Sequence, residues 1–128
     1  METIVKEKIE IATELLEQLQ TQVEKQVIVH GLVPAKPHIG QSIRLWKTIV
    51  LIPHDSTKRY QLRQSYNIAL YPQWQYVSPG KSHCFTMIFE GLPKDCSQFD
   101  LVEIIPEPDG FEIRNIIRNE LDVYYLSF

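Results

Sequence analysis

The chain has 128 residues, of which 44% are hydrophobic and 23% charged, with a net charge of −3. That is the size of one domain with its own core, and the composition excludes global disorder. The acidic balance gives no general support for nucleic-acid or anionic-membrane binding, and no apolar run approaches the ~20 residues of a membrane span.

Residues 2–24 read as an amphipathic helix. Val5, Ile9, Ala12, Leu16, Leu19 and Val23 recur at alternating spacings of four and three, which places them on one stripe. Ile4, Ile11 and Leu15 widen that stripe, Glu2 or Thr3 can cap the start, and no Gly or Pro interrupts the run. Two readings of the stripe stand side by side. The helix packs on the chain's own sheet, or it forms a short heptad seam for self-association or a protein partner. The same residues interleave acids with apolar positions, unlike a signal peptide, so the chain reads as cytoplasmic with no membrane partner.

After Lys25 the pattern changes to strands. Residues 26–33 (QVIVHGLV) are the first, ended by Pro34, and the linker 34–40 holds two prolines and a glycine. Residues 42–52 (SIRLWKTIVLI) read as one long strand with a bend or bulge near Lys47. A turn at 53–58 leads into 59–70. There Tyr60, Leu62, Tyr66, Ile68 and Leu70 are expected on one face and Gln61, Arg63, Ser65 and Asn67 on the other. Residues 71–77 (YPQWQYV) are extended, and Pro72 points to an edge. Ser78-Pro79-Gly80-Lys81 is a type II turn sequence, with glycine at its third position.

Residues 83–89 and the run beginning at Phe99 are two strand-like stretches around a Gly/Pro-containing loop, which predicts a hairpin or a sheet-to-sheet crossing. The turn 106–110 precedes a strand at 111–118, with Phe111, Ile113 and Ile117 inward and Glu112, Arg114 and Arg118 outward. Asn119-Glu120 turns into a final strand. About seven or eight strands at roughly 8–12-residue spacing predict a mainly β protein, an antiparallel β-sandwich preceded by one N-terminal helix. Intervening helices are missing, which excludes a parallel α/β fold. The expected core is Phe85, Met87, Phe89, Phe99, Leu101, Phe111 and Ile113.

Candidates for chemistry are sparse. Cys84 and Cys96 are expected to be reduced thiols, too far apart across a hairpin for the ~7 Å disulfide limit. His83 and Cys84 are adjacent and so point to opposite strand faces, while His30, His38 and His54 lie at or near loops; no metal or other cofactor is expected. Cys96 beside Lys94, or the acids Asp100 and Glu103, would be the only route to an enzyme, and neither sits in a catalytic motif. Arg44, Lys47, Lys58, Arg59 and Arg63, interleaved with Trp46 and Tyr60, read as a solvated hairpin face rather than a nucleic-acid surface. Tyr71, Trp74 and Tyr76 either plug the end of the sheet or form a ligand or partner contact.

The run Phe89-Glu90-Gly91-Leu92-Pro93, then Phe99-Asp100-Leu101-Val102-Glu103, then Gly110-Phe111-Glu112-Ile113, resembles a pattern in small uncharacterised bacterial β-sandwich domains. The resemblance covers about residues 82–118. It implies a sandwich of immunoglobulin-like general architecture and assigns no catalytic residue. The functional expectation is a non-catalytic protein-interaction or accessory module. The alternative is a carbohydrate- or small-ligand-binding domain that uses Tyr71, Trp74 and Tyr76.

Overall fold

A computed structural model describes residues 26–128. The expected helix, with its interface residues Val5, Ile9, Ala12, Leu16, Leu19 and Val23, lies outside the described residues. Among those described there are nine strands: β1 (Val27–Val33), β2 (Gln41–Ile43), β3 (Ile49–Pro53), β4 (Tyr60–Tyr66), β5 (Gln75–Val77), β6 (His83–Phe89), β7 (Gln98–Glu103), β8 (Glu112–Ile117) and β9 (Val123–Ser127). Seven form one sheet in the order β8-β7-β3-β4-β6-β1-β9, and β2 pairs with β5. No helix among the described residues is long and apolar enough to cross a membrane.

The protein is therefore mainly β, built on a curled, mixed sheet. An antiparallel arrangement throughout is corrected at two places, since β9 runs parallel to β1 and Leu45 forms an isolated parallel bridge with Leu70. The reason for the first lies in the route of the chain. β8 and β9 follow one another in sequence yet occupy opposite edges of the sheet. The short link 118–122 can join them only because the sheet curls. Phe99 of β7 meets Tyr124 of β9 edge to face at 5.1 Å between ring centroids, although four strands separate β7 from β9 in the sheet. Strand β4 makes the bend. Its first residues, Tyr60 and Gln61, pair with β3, and from Leu62 onward it pairs with β6.

Two bulges reverse the expected inside–outside phase. In β4, Arg63 is an extra residue between the pairs Leu62↔Phe89 and Gln64↔Ile88. An extra residue shifts every later side chain to the other face. Tyr66 is accordingly 52% exposed, while Ser65 turns partly inward. In β8, Arg114 and Asn115 together oppose the single residue Asp100, and Asn115 is left-handed with φ 59°. Asn tolerates this conformation better than most residues. The Asn115 N–H and the Arg114 guanidinium both donate to Asp100, at 2.8 and 3.2 Å. Beyond the bulge Ile116 is buried, Ile117 is 72% exposed and Arg118 turns inward.

The expected single strand over 42–52 is also corrected. β2 ends at Ile43, and Leu45 is captured by another segment. Its N–H donates to Ala69 O and its carbonyl accepts from the Tyr71 N–H, both at 2.9 Å. A turn closed by Ile49 N–H to Trp46 O then starts β3. Likewise β6 and β7 are not a hairpin, since β4 and β3 lie between them. The connection buries Leu92 and Cys96, so it packs across the core rather than forming an exposed turn. Both cysteines are free, Cys96 buried and Cys84 exposed.

Phe85, Met87, Phe89, Phe99 and Leu101 are buried as expected, with Phe111 and Ile113 packed at the margin. Gly80 has φ 77°, and Lys81 N–H donates to Ser78 O at 3.2 Å, which closes the expected turn. A Cβ at Gly80 would meet nothing, so only the backbone conformation demands glycine. Gly80→Val is expected to lower stability by about 1 kcal/mol or more, read as a shift of the denaturation midpoint. An unchanged midpoint would contradict this.

Candidate functional site

The richest exposed cluster is built around Arg44, which follows β2. Its guanidinium carbon lies 3.8 Å from the Trp74 ring centroid, 4.7 Å from that of Tyr71 and 5.8 Å from that of Trp46. Arg44 and Trp46 are two apart on extended backbone, so they project to one side. Trp46 and Tyr71 stack with centroids 3.7 Å apart. Arg44 also donates to Pro72 O at 3.4 Å and faces Glu107 at 3.9 Å.

The scaffold beneath explains why these side chains converge. Leu45, fully buried, is held by residues 69–71 and brings the β2–β3 link against the aromatic segment. Gln75 Oε1 accepts the Ala69 N–H at 3.1 Å, and Gln73 N–H donates to Leu70 O at 2.8 Å, which fixes the turn carrying Trp74. Tyr76 pairs with Ser42 in the small sheet and lies over Gly40, where a Cβ would collide with the tyrosine hydroxyl. A larger residue at this position would push the exposed Tyr76 ring aside.

Under the cluster lies Glu103, which is buried and accepts the Trp46 N–H at 2.9 Å and the Phe111 N–H at 3.3 Å. Burial pushes its carboxyl up, against the pull of those two N–H groups and of Arg44. Arg44, Trp46, Trp74, Glu103 and Glu107 line a groove of about 280 Å³.

Of the residues expected from sequence, Tyr71 and Trp74 come together around Arg44, and Tyr76 is the middle residue of β5 in the neighbouring short sheet. They are 48%, 59% and 65% exposed respectively. Arg44 and Trp46 belong to this cluster and not to a basic hairpin. The remaining cations are dispersed. Arg63 pairs with Glu90 at 3.0 Å, Lys58 sits 5.3 Å from the Tyr60 ring centroid, and Lys47 and Arg59 line a separate shallow groove. Sequence reasoning missed Arg44 and Glu107 as members of the site. The Arg44-x-Trp46 spacing is the one local signal that could have suggested the former.

The other candidates are engaged structurally. Asp100 and Glu103 are an odd number of residues apart on β7 and face opposite sides, so they are not a carboxylate pair. Burial pushes Asp100 up, but the Asn115 N–H, His54 and Arg114 outweigh it and hold the carboxyl below its usual value. His54 Nε2 is 2.8 Å from Asp100, and no hydroxyl or thiol among the described residues hydrogen-bonds to that histidine's ring. Burial pushes the Cys96 thiol up despite Arg118, which disfavours the nucleophilic thiolate. No group of three or more metal-ligating side chains is assembled among the described residues.

Comparison with protein-family models, curated proteins and solved structures finds no match to this chain. Fold and surface together define the class: a mainly β domain with an exposed aromatic patch, Tyr71, Trp74 and Tyr76, beside a largely covered Arg44.

Proposed function

We propose that the chain is a non-catalytic protein-interaction module whose contact surface is Arg44, Tyr71, Trp74 and Tyr76. The observation that carries this is the Arg44 guanidinium held 3.8 Å over the exposed Trp74 ring. Trp, Tyr and Arg are the residue types that dominate binding energy at protein interfaces. An arginine already stacked and hydrogen-bonded has less rotamer freedom to lose on binding. Glu107, at the rim, adds a charge that a basic partner group would meet. The free cysteines, one of them exposed, suit a reducing, cytoplasmic setting.

The curled sheet is read as a β-sandwich of immunoglobulin-like general architecture, in line with the resemblance of residues 82–118 to small bacterial sandwich domains. The Phe99–Tyr124 contact and the shared strand β4 support that reading.

A second reading is a carbohydrate-binding domain. It rests on Trp74 and Tyr76 each being more than half exposed, which leaves flat ring faces for sugar stacking. Trp74→Ala separates the two. A protein captured from native lysate should lose affinity by roughly 30-fold, about 2 kcal/mol, with the thermal midpoint unchanged. Glycan binding abolished by the same change would favour the second reading. Equal capture by wild type, Trp74→Ala and Arg44→Ala would refute the first.

A further inference from the structure

We infer that the N-terminal segment, residues 1–25, docks its apolar stripe on the outer face of β6–β1–β9. This face is separate from the arginine–aromatic patch. On β1, Val27, Val29 and Val33 point into the core, so Ile28, His30 and Leu32 point out. The register places Ile88 beside Ile28 on β6, and Val123 and Tyr125 beside Ile28 and His30 on β9. His30 ties this surface together. It stacks on Tyr125 at 5.1 Å between ring centroids and hydrogen-bonds Thr86 at 2.9 Å.

The outer face of a sheet covered on one side is ordinarily polar. Parts of the outer face follow that rule, with Gln61 and Arg63 on β4 and Glu112 and Arg114 on β8 exposed, while Val50, Ile52 and Val102 make an apolar strip on β3–β7. Over β6–β1–β9 the face is mostly apolar, with Ile28, Leu32, Ile88, Val123 and Tyr125 around the polar His30, Thr86 and Ser127, and it holds a groove of about 600 Å³ between Leu32, Cys84 and Tyr125.

Chain length and attachment point select the occupant. Residues 1–25 end one residue before β1, the middle strand of the three. The core side of β1 is already filled by Val27 and Val29, which have no exposed surface. A segment returning along β1 therefore has the outer face available. Wound as the helix its periodicity predicts, it would be ~35 Å long at ~1.5 Å per residue. The seven residues of β1 span ~23 Å. The stripe from Ala12 to Val23 is then enough to lie over Ile28 to Leu32. The same segment offers alternating spacings of four and three apolar residues to a surface that is itself mostly apolar.

Cys84 opens into the groove, and Cys96 is buried in the core, so the two thiols give a reporter and an internal reference. The test compares thiol-labelling rates of the full chain with those of the full-length Leu16→Asp/Leu19→Asp variant. A docked segment shields Cys84, and the variant should label it at least ten-fold faster while Cys96 stays unreactive. Equal Cys84 rates in the two proteins would overturn the proposal. Should the double variant unfold, which reaction of Cys96 would reveal, a photoreactive phenylalanine analogue incorporated in place of Tyr125 in the otherwise wild-type full chain decides. An adduct with residues 1–25 of the same chain supports docking. Adducts only elsewhere, or crosslinked dimers whose yield rises with concentration, would overturn it, the latter by identifying a second copy as the occupant.

Discussion

Arg118→Ala is expected to lower stability by about 3–5 kcal/mol, the range for removing one partner of a buried ion pair. Arg118 reaches the interior because the Asn115 bulge turns it there. Its guanidinium holds both oxygens of Asp122, at 2.8 and 2.9 Å. It also donates to the carbonyls of Leu92 and Cys96, each at 3.3 Å, and to that of Pro93. It thereby fastens the β6–β7 connection to the link between the two sheet edges. Without it, those carbonyls lose a donor, and the buried Asp122 carboxylate keeps the Tyr124 hydroxyl, at 2.9 Å, as its hydrogen-bond partner.

For a domain of ~100 residues that loss corresponds to a melting-point fall of roughly 15–30 °C. Arg118→Met/Asp122→Asn should lose less than the sum of its single changes, because the unpaired charge is gone. A midpoint fall of only a few degrees for Arg118→Ala would show that the cluster is not structural.

Tyr124, in the same cluster, supplies a pH signature. Burial first, and then its hydrogen bond to Asp122, push its hydroxyl up to about 12. The unfolded chain titrates near ~10. A group whose folded value is raised contributes fully below the unfolded value and loses that contribution as pH rises. Stability should therefore fall between pH ~10 and about 12, and Tyr124→Phe should flatten that limb in alkaline denaturation curves. An equally steep limb in the variant would place the alkaline sensitivity elsewhere.

Phe99→Ala should destabilise by about 3–5 kcal/mol, as deletion of a fully buried aromatic ring does. Phe99 pairs with Pro53 on one side and Ile116 on the other, and its ring meets Tyr124. A double-mutant cycle of Phe99→Leu with Tyr124→Leu tests the curl directly. Rings in edge-to-face contact couple by about 0.5–1.5 kcal/mol. In a flat sheet β7 and β9 would be too far apart to couple. Zero coupling in equilibrium denaturation would argue that the sheet is open.

Much of the β architecture was legible locally. Period-two patterns located β1, β6 and β7 because those strands keep unbroken alternation and each buries one face. The Gly80 turn was legible because one residue type fits its backbone angle. Alternation failed at β4 and β8, since it counts residues rather than pairs. Arg63 and the Arg114–Asn115 bulge each invert the phase, so Tyr66 and Ile117 emerge while Ile116 and Arg118 go in. Within the candidate site, the sequence marked Tyr71, Trp74 and Tyr76 as aromatics on an edge-like stretch. It could not mark Arg44 as their partner, because that contact spans 30 residues and depends on the capture of Leu45 by residues 69–71.

By itself, the sequence determined the mainly β class, most of the core and the turn chemistry, because these follow from local periodicity and backbone preference. Tertiary structure alone decided the strand order, the parallel β1–β9 pair, the inward turn of Arg118 and the stacking of Arg44 on Trp74. Each of these depends on which distant segment a strand edge or side chain meets once the sheet curls, and no local pattern encodes that choice.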